Sequence, residues 1–203
     1  MRRKIRRILK TASLIVAIVV ILLVPRIWGD VAYPVKYEAE ISAAASEFNI
    51  EKSLLFALVL SESRFRAEVV SHAGAVGLMQ LMPATAAGVA KKLGMTGFKS
   101  GDLYDPAINA RLGAAYLRSL LDMYDQNVEL ALMGYNGGPG AANRYLANGT
   151  LPRETNRYYQ IVIQRETKYA EIFSQGSQTP SEAVEEEKKP AGVQGAFSRW
   201  FGK

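Results

Sequence analysis

From Tyr37 to about Phe173 apolar residues return at helical spacing and nowhere settle into alternation, so this stretch must bury helix faces rather than sheet faces. Ile41, Ala44, Ala45 and Phe48 mark a first helix. Leu54, Leu55, Phe56, Ala57, Leu58, Val59 and Leu60 make a second, running into Ser61-Glu62-Ser63. Ala84 to Leu93 predicts a short helix after Pro83, closed by Gly94. Pro106 stands at an N1 position and opens a long amphipathic helix through Leu112, Ala115, Tyr116, Leu120 and Tyr124. Leu130 to Tyr135 predicts another, stopped by Gly137-Gly138-Pro139-Gly140. The last is expected from about Thr155 to Phe173. The expected class is all-α, with one domain over residues 30–173.

The two ends read differently. Leu14 to Val24 is an unbroken apolar run behind Arg2, Arg3, Lys4, Arg6, Arg7 and Lys10. These six cations account for the formal net charge of +6 and leave the remainder close to neutral. A basic tip ahead of an apolar segment orients membrane insertion, so no nucleic-acid partner is expected. Two readings compete for the run: the core of a cleaved signal peptide, or an uncleaved anchor. Asp30-Val31-Ala32 is a poor small-x-small cleavage site and no better one follows the run, and Trp28 suits an interfacial position, so the anchor is favoured. Residues 1–29 are thus expected to be a cytoplasmic tip and one transmembrane helix, with the domain outside the cytoplasm. Residues 174–203 are rich in Ser, Gln, Pro, Glu and Lys and are expected to be a disordered polar tail.

The chain has no cysteine and a single histidine, His72, which reads as a loop residue. Thiolate chemistry, cysteine-ligated zinc and a Ser-His-Asp triad are thereby excluded or made improbable on composition. Chemistry has to rest on carboxylates and hydroxyls, and no cofactor or metal is expected.

Glu62 closes an apolar helix. Apolar walls and the negative end of the helix dipole both disfavour its charged form and raise its pKa. A carboxyl that stays protonated near neutral pH can donate a proton to a glycosidic oxygen. The bland alternative is a last-turn glutamate paired with Arg64 or Arg66. Further on, Gly74 and Gly77 allow tight turns or close backbone approach, Gln80 supplies an amide, and Met79 and Met82 supply adaptable apolar surface. Tyr135-Asn136 ends a helix before a glycine loop. Glu154 opens the last helix, where its charge suits the N-terminal dipole.

Together these segments resemble the catalytic domain of the soluble lytic transglycosylase family over roughly Tyr37 to Phe173. Glu62-Ser63 is similar to the family's Glu-Ser pair, and Gly77-Leu78-Met79-Gln80-Leu81-Met82-Pro83 to its glycine-methionine-glutamine motif. Tyr135-Asn136-Gly137-Gly138 and Glu154-Thr155 with Tyr158 match two further motifs, with Gly134 standing where alanine is common. The resemblance implies a goose-lysozyme-like helical fold with a cleft, Glu62 as the catalytic acid and base, and peptidoglycan glycan strands as substrate. It further implies substrate-binding positions at Ser63, Ser71, Gln80, Met82, Tyr135, Asn136, Glu154 and Tyr158. The reaction it implies cuts the bond from N-acetylmuramic acid to N-acetylglucosamine and leaves a 1,6-anhydro end, with no cofactor. Two alternatives stand beside it: a hydrolytic muramidase using Asp102 or Asp105 to activate water, and a non-catalytic wall-binding scaffold. Protein partners are not indicated.

Overall fold

The computed structural model describes residues 32–150 and 152–176; the expected anchor and most of the expected polar tail lie outside them. The chain divides into the units Met1–Lys36 and Tyr37–Lys203, and every helix treated below belongs to the second. Among its described residues seven α-helices follow one another: α1 Glu38–Glu47, α2 Lys52–Glu62, α3 Pro83–Lys92, α4 Pro106–Met123, α5 Val128–Gly137, α6 Pro139–Asn148 and α7 Arg153–Gly176. A 3-10 turn, Ser100–Tyr104, precedes α4. Among the described residues, extended pairing is limited to the isolated bridges Val70–Val76 and Val76–Leu81, in the loop between α2 and α3. None of the described helices is long and apolar enough to cross a membrane.

Helix α2 is the centre of the domain. Leu54 to Leu60 are all buried, so this helix has no solvent face along most of its length. Burying one such Leu, Val or Phe side chain contributes roughly 1.5–3 kcal/mol, which fixes the helix firmly in the core. Its main neighbour is α7. Val162 and Tyr169 of α7 are fully buried. Tyr169 and Phe173 meet the Phe56 ring at 5.4 and 5.0 Å, and Phe65 lies 5.8 Å from Phe56. Lys52 Nζ caps the cluster, 4.1 Å from the Phe173 ring centre. Tyr158, Val162, Arg165, Tyr169 and Phe173 recur at three- and four-residue intervals on α7. One face of α7 is thereby laid along α2, and its first turns reach the Glu62 end.

Helix α4 forms the second axis and packs against α1, α3 and α5. Its start is as the sequence predicts: Pro106 at the first turn and the Asp105 side chain accepting from Ile108 N at 2.9 Å. The segment after Tyr135 departs from expectation. Gly138, at φ 74°, does end α5, but it also serves as the N-cap of α6, whose Pro139 stands in the first turn. The expected glycine loop is a one-residue joint between two helices. Proline lacks only an N–H that a first turn leaves unused, so Pro139 starts α6 as readily as it stops α5.

Candidate active site

Glu62 is the last residue of α2, half-buried, with its carboxyl raised from 4.5 to about 7 by burial. The opposing influence is smaller: the Tyr158 hydroxyl donates to Glu62 Oε1 and lowers it somewhat. With Oε1 occupied by that donor, Oε2 is the oxygen left to carry the acid proton. Neither arginine pairs with it. Arg64 is exposed at φ 53°, and Arg66 Nε donates to the Ser63 carbonyl at 3.0 Å. Among the described residues the carboxyl of Glu62 is thus held up by burial and is not paired with an arginine.

Tyr135 and Tyr158 flank it from α5 and α7. Burial pushes both phenols well above their ordinary range, and the charge of Glu62 pushes them further. Phenols that do not ionise remain donors at every working pH. Tyr135 donates to the Met79 carbonyl at 2.9 Å, and its ring lies 5.2 Å from that of Tyr116. Behind Tyr158 on the same helix, Arg165 donates to Ser61 Oγ at 2.8 Å, and Ser61 donates to the Ala57 carbonyl at 2.7 Å. The helix end carrying Glu62 is tied to α7 on both sides.

The loop between α2 and α3 joins the site through the Met79 carbonyl that Tyr135 holds. Gln80 sits in the left-handed region, φ 47°, and its Nε2 donates to Val69 O at 3.1 Å and Gly77 O at 2.9 Å. Both amide hydrogens are spent inward, which leaves Oε1 as an acceptor for a ligand. Met79 is fully buried and belongs to the core, whereas Met82 is 43% exposed at the mouth of α3. Ser71 Oγ accepts from Ala75 N at 3.0 Å and closes the turn that holds an exposed His72. Asn136 and Glu154 are both exposed, Asn136 in the last turn of α5 and Glu154 in the first turn of α7. Ser63 differs from its neighbour. It is fully buried and its hydroxyl turns back to Val59 O at 3.4 Å, so here it shapes the helix end instead of opening on a ligand. Successive helical residues point about 100° apart, and a face that presents Glu62 turns Ser63 inward. The surface cavity at the α1–α2 corner, bordered by Ser42, Ser46, Asn49 and Lys52 among others, holds none of these residues.

One residue central to the loop has no counterpart among the sequence expectations. Asn109 of α4 is fully buried. Its Oδ1 accepts from Met79 N at 2.8 Å, and its Nδ2 donates to Val76 O at 3.0 Å and Leu103 O at 2.8 Å. A Cβ on Gly77 would collide with Asn109 and the Leu103 carbonyl, and Gly77 stands at φ 82°. Glycine is required there for both space and conformation.

This helical domain, with a half-buried acid beside two tyrosines, is matched by the Transglycosylase SLT domain family over residues 40–156, and the chain belongs to that family. Its sequence is 44% identical over 103 residues to the transglycosylase of Enterobacteria phage PRD1, covering 51% of this chain and 35% of the phage protein. It is 34% identical over 125 residues to membrane-bound lytic murein transglycosylase C of Salmonella arizonae, covering 57% of this chain and 35% of the relative. The 70 kDa soluble lytic transglycosylase of Escherichia coli superposes with TM-score 0.68 at 28% identity, over 73% of this chain and 26% of that one. An inactive glutamate-to-glutamine mutant of the lytic transglycosylase Slt of Pseudomonas aeruginosa superposes with TM-score 0.63 at 32% identity, over 75% and 26%. The chain spans about a third or less of the length of these relatives. Their lysozyme-like helical architecture is the one seen here.

Proposed function

We propose that this chain is a peptidoglycan lytic transglycosylase, with Glu62 as its single catalytic acid and base. The observation that carries the reading is a carboxyl raised to about 7 with one oxygen held by Tyr158 and the other left for a proton. Glu62 gives that proton to the oxygen between N-acetylmuramic acid and N-acetylglucosamine, and the C1–O bond breaks as the sugar's own acetamido group steadies the positive charge. The carboxylate then takes the proton of the muramic acid C6 hydroxyl, whose oxygen bonds to C1. Acid and base are the same group, and no water is consumed. An attacker already attached to the substrate has an effective molarity of order 10⁵ M or more, enough to outrun bulk water.

A hydrolytic muramidase needs a second carboxylate to activate water. Both aspartates suited to that task by sequence are engaged elsewhere. Asp102 Oδ2 accepts from Lys99 N at 2.8 Å in the 3-10 turn, and Asp105 caps α4. This favours the transglycosylase over the muramidase. In the proposed cleft Tyr135 and Tyr158 orient the acetamido group and the acid. Gln80, Asn136, Ser71 and Met82 contact the sugars, with Gln80 presenting its carbonyl oxygen. Glu154 belongs to the polar rim, and Ser63 acts from behind Glu62.

The apolar run before residue 30 anchors the protein to the cell membrane as a single pass, with the domain outside the cytoplasm; the name of a membrane-bound relative supports the membrane association alone. Retention in the membrane fraction with the run, and release without it, is the expected fractionation result. The catalytic reading is tested by incubating purified peptidoglycan with the protein and with Glu62→Gln. Release of soluble muropeptides by the first and none by the second is expected. Equal release by both would remove Glu62 from the mechanism, and none by either would favour the wall-binding scaffold.

A further inference from the structure

We infer that Asn109, on α4 and remote in sequence from every motif residue, is the positioning residue that holds Tyr135 and the Gln80 loop in register with Glu62. The inference rests on the catalytic reading above and names how its geometry is kept.

The chain of contacts is continuous. Asn109 Oδ1 holds Met79 N at 2.8 Å, and the Met79 carbonyl holds the Tyr135 hydroxyl at 2.9 Å. The two polar groups of one buried backbone residue are thus claimed from opposite sides, by α4 and by α5. The Asn109 amide can stand only one way round, because its two partners on the nitrogen side are carbonyls and its partner on the oxygen side is an N–H. No aliphatic or hydroxyl side chain reproduces three such bonds at once. Glycines clear the space on both sides: a Cβ on Gly77 would strike Asn109, and one on Gly113 would strike the Met79 side chain. Gln80 follows Met79 directly and bonds back to Gly77 O and Val69 O, so the register fixed at Met79 is passed on to the ligand-facing amide. A buried network with every member satisfied is rigid, and a vacancy in it is felt along its length.

The experiment is a double-mutant cycle on glycan cleavage, with rates expressed per folded molecule from circular dichroism. Asn109→Ala is expected to lower kcat by up to about 100-fold, as a displacement of about 1 Å at a reacting group does. Asn109→Ala/Tyr135→Phe is expected to lose no more than about threefold beyond the worse single variant, because both changes break one linkage. Single losses that multiply overturn the inference, and so does an Asn109→Ala protein whose folded fraction keeps wild-type kcat. Asn109→Ser, with a shorter polar side chain, serves in the cycle if the alanine variant does not fold. A measurement on the unsubstituted protein stands apart from activity: Met79 N–H is expected to exchange with solvent as slowly as the core amides of α4. Exchange at the rate of an exposed loop would overturn the linkage. An inactive wild type with a protected Met79 amide would count against the catalytic reading and leave the linkage standing.

Discussion

Replacing Glu62 by glutamine is expected to stabilise the fold at alkaline pH while removing its chemistry. The carboxyl ionises near 4.5 in an ordinary environment and near 7 in the folded protein. Below 4.5 it is protonated in both states and contributes no penalty. As pH rises from 4.5 to 7 the unfolded chain gives up the proton while the fold retains it, so stability falls; above 7 the penalty is complete. At about 1.36 kcal/mol per tenfold change in proton affinity, the full penalty is about 3 kcal/mol. Partial exposure of the carboxyl screens some of it, so about 2–3 kcal/mol is the measurable share. Glutamine keeps the shape, keeps an oxygen for the Tyr158 hydroxyl and cannot ionise. Urea unfolding of both proteins at pH 4 and pH 8 is the assay. The variant is expected to match the parent at pH 4 and to exceed it by about 2–3 kcal/mol at pH 8. A difference that is the same at both values, or a parent that is more stable at pH 8, would refute a carboxyl held protonated by burial.

Two other perturbations separate the roles assigned around the acid. Tyr158→Phe removes the hydrogen bond that opposes the rise of Glu62. Hydrogen bonds to charged acceptors exceed neutral ones by about 1–1.5 kcal/mol, so the alkaline limb of kcat/KM against pH is expected to move up by about one pH unit. The peak rate should fall about tenfold as the acid loses its orientation, and a limb that stays in place contradicts the assignment. Asp105→Ala removes the N-cap of α4, and thermal unfolding should register a loss of about 1 kcal/mol. Glycan cleavage per folded molecule should be unchanged, and a loss of cleavage would restore Asp105 as a water-activating base.

The parts of the site that local chemistry dictates could be read from the chain alone. Pro106 after Asp105 signals a helix start wherever it occurs. The apolar run Leu54–Leu60 ends two residues before Glu62 and points to a raised carboxyl, yet a last-turn glutamate paired with Arg64 or Arg66 fits the same segment, and the family resemblance is what separates the two. Gly138-Pro139-Gly140 is locally ambiguous, because the same residues end one helix and begin the next, and packing of Ala141 and Ala142 into the core decides for α6. Ser63 was within reach of sequence reasoning: rotating the face of α2 by one residue from Glu62 turns it inward. Asn109 was not. An asparagine in a long helix carries no periodic signal, and its partners Val76 and Met79 are backbone groups some thirty positions away. Only the closed fold brings them together. Gly134 is similar in kind: a Cβ there would press to 3.2 Å on Leu120 and Tyr124, so glycine permits the close approach of α5 to α4. The packing gives a use to this glycine, which stands where the family commonly has alanine.

The mass of the cleaved ends tests the central claim most directly. Peptidoglycan digested by the protein and resolved by mass spectrometry is expected to yield muropeptides ending in 1,6-anhydro-N-acetylmuramic acid, with no water added at the cut. Products heavier by one water would show that water, and not the C6 hydroxyl, attacks C1, and would contradict the single-carboxylate mechanism built on Glu62.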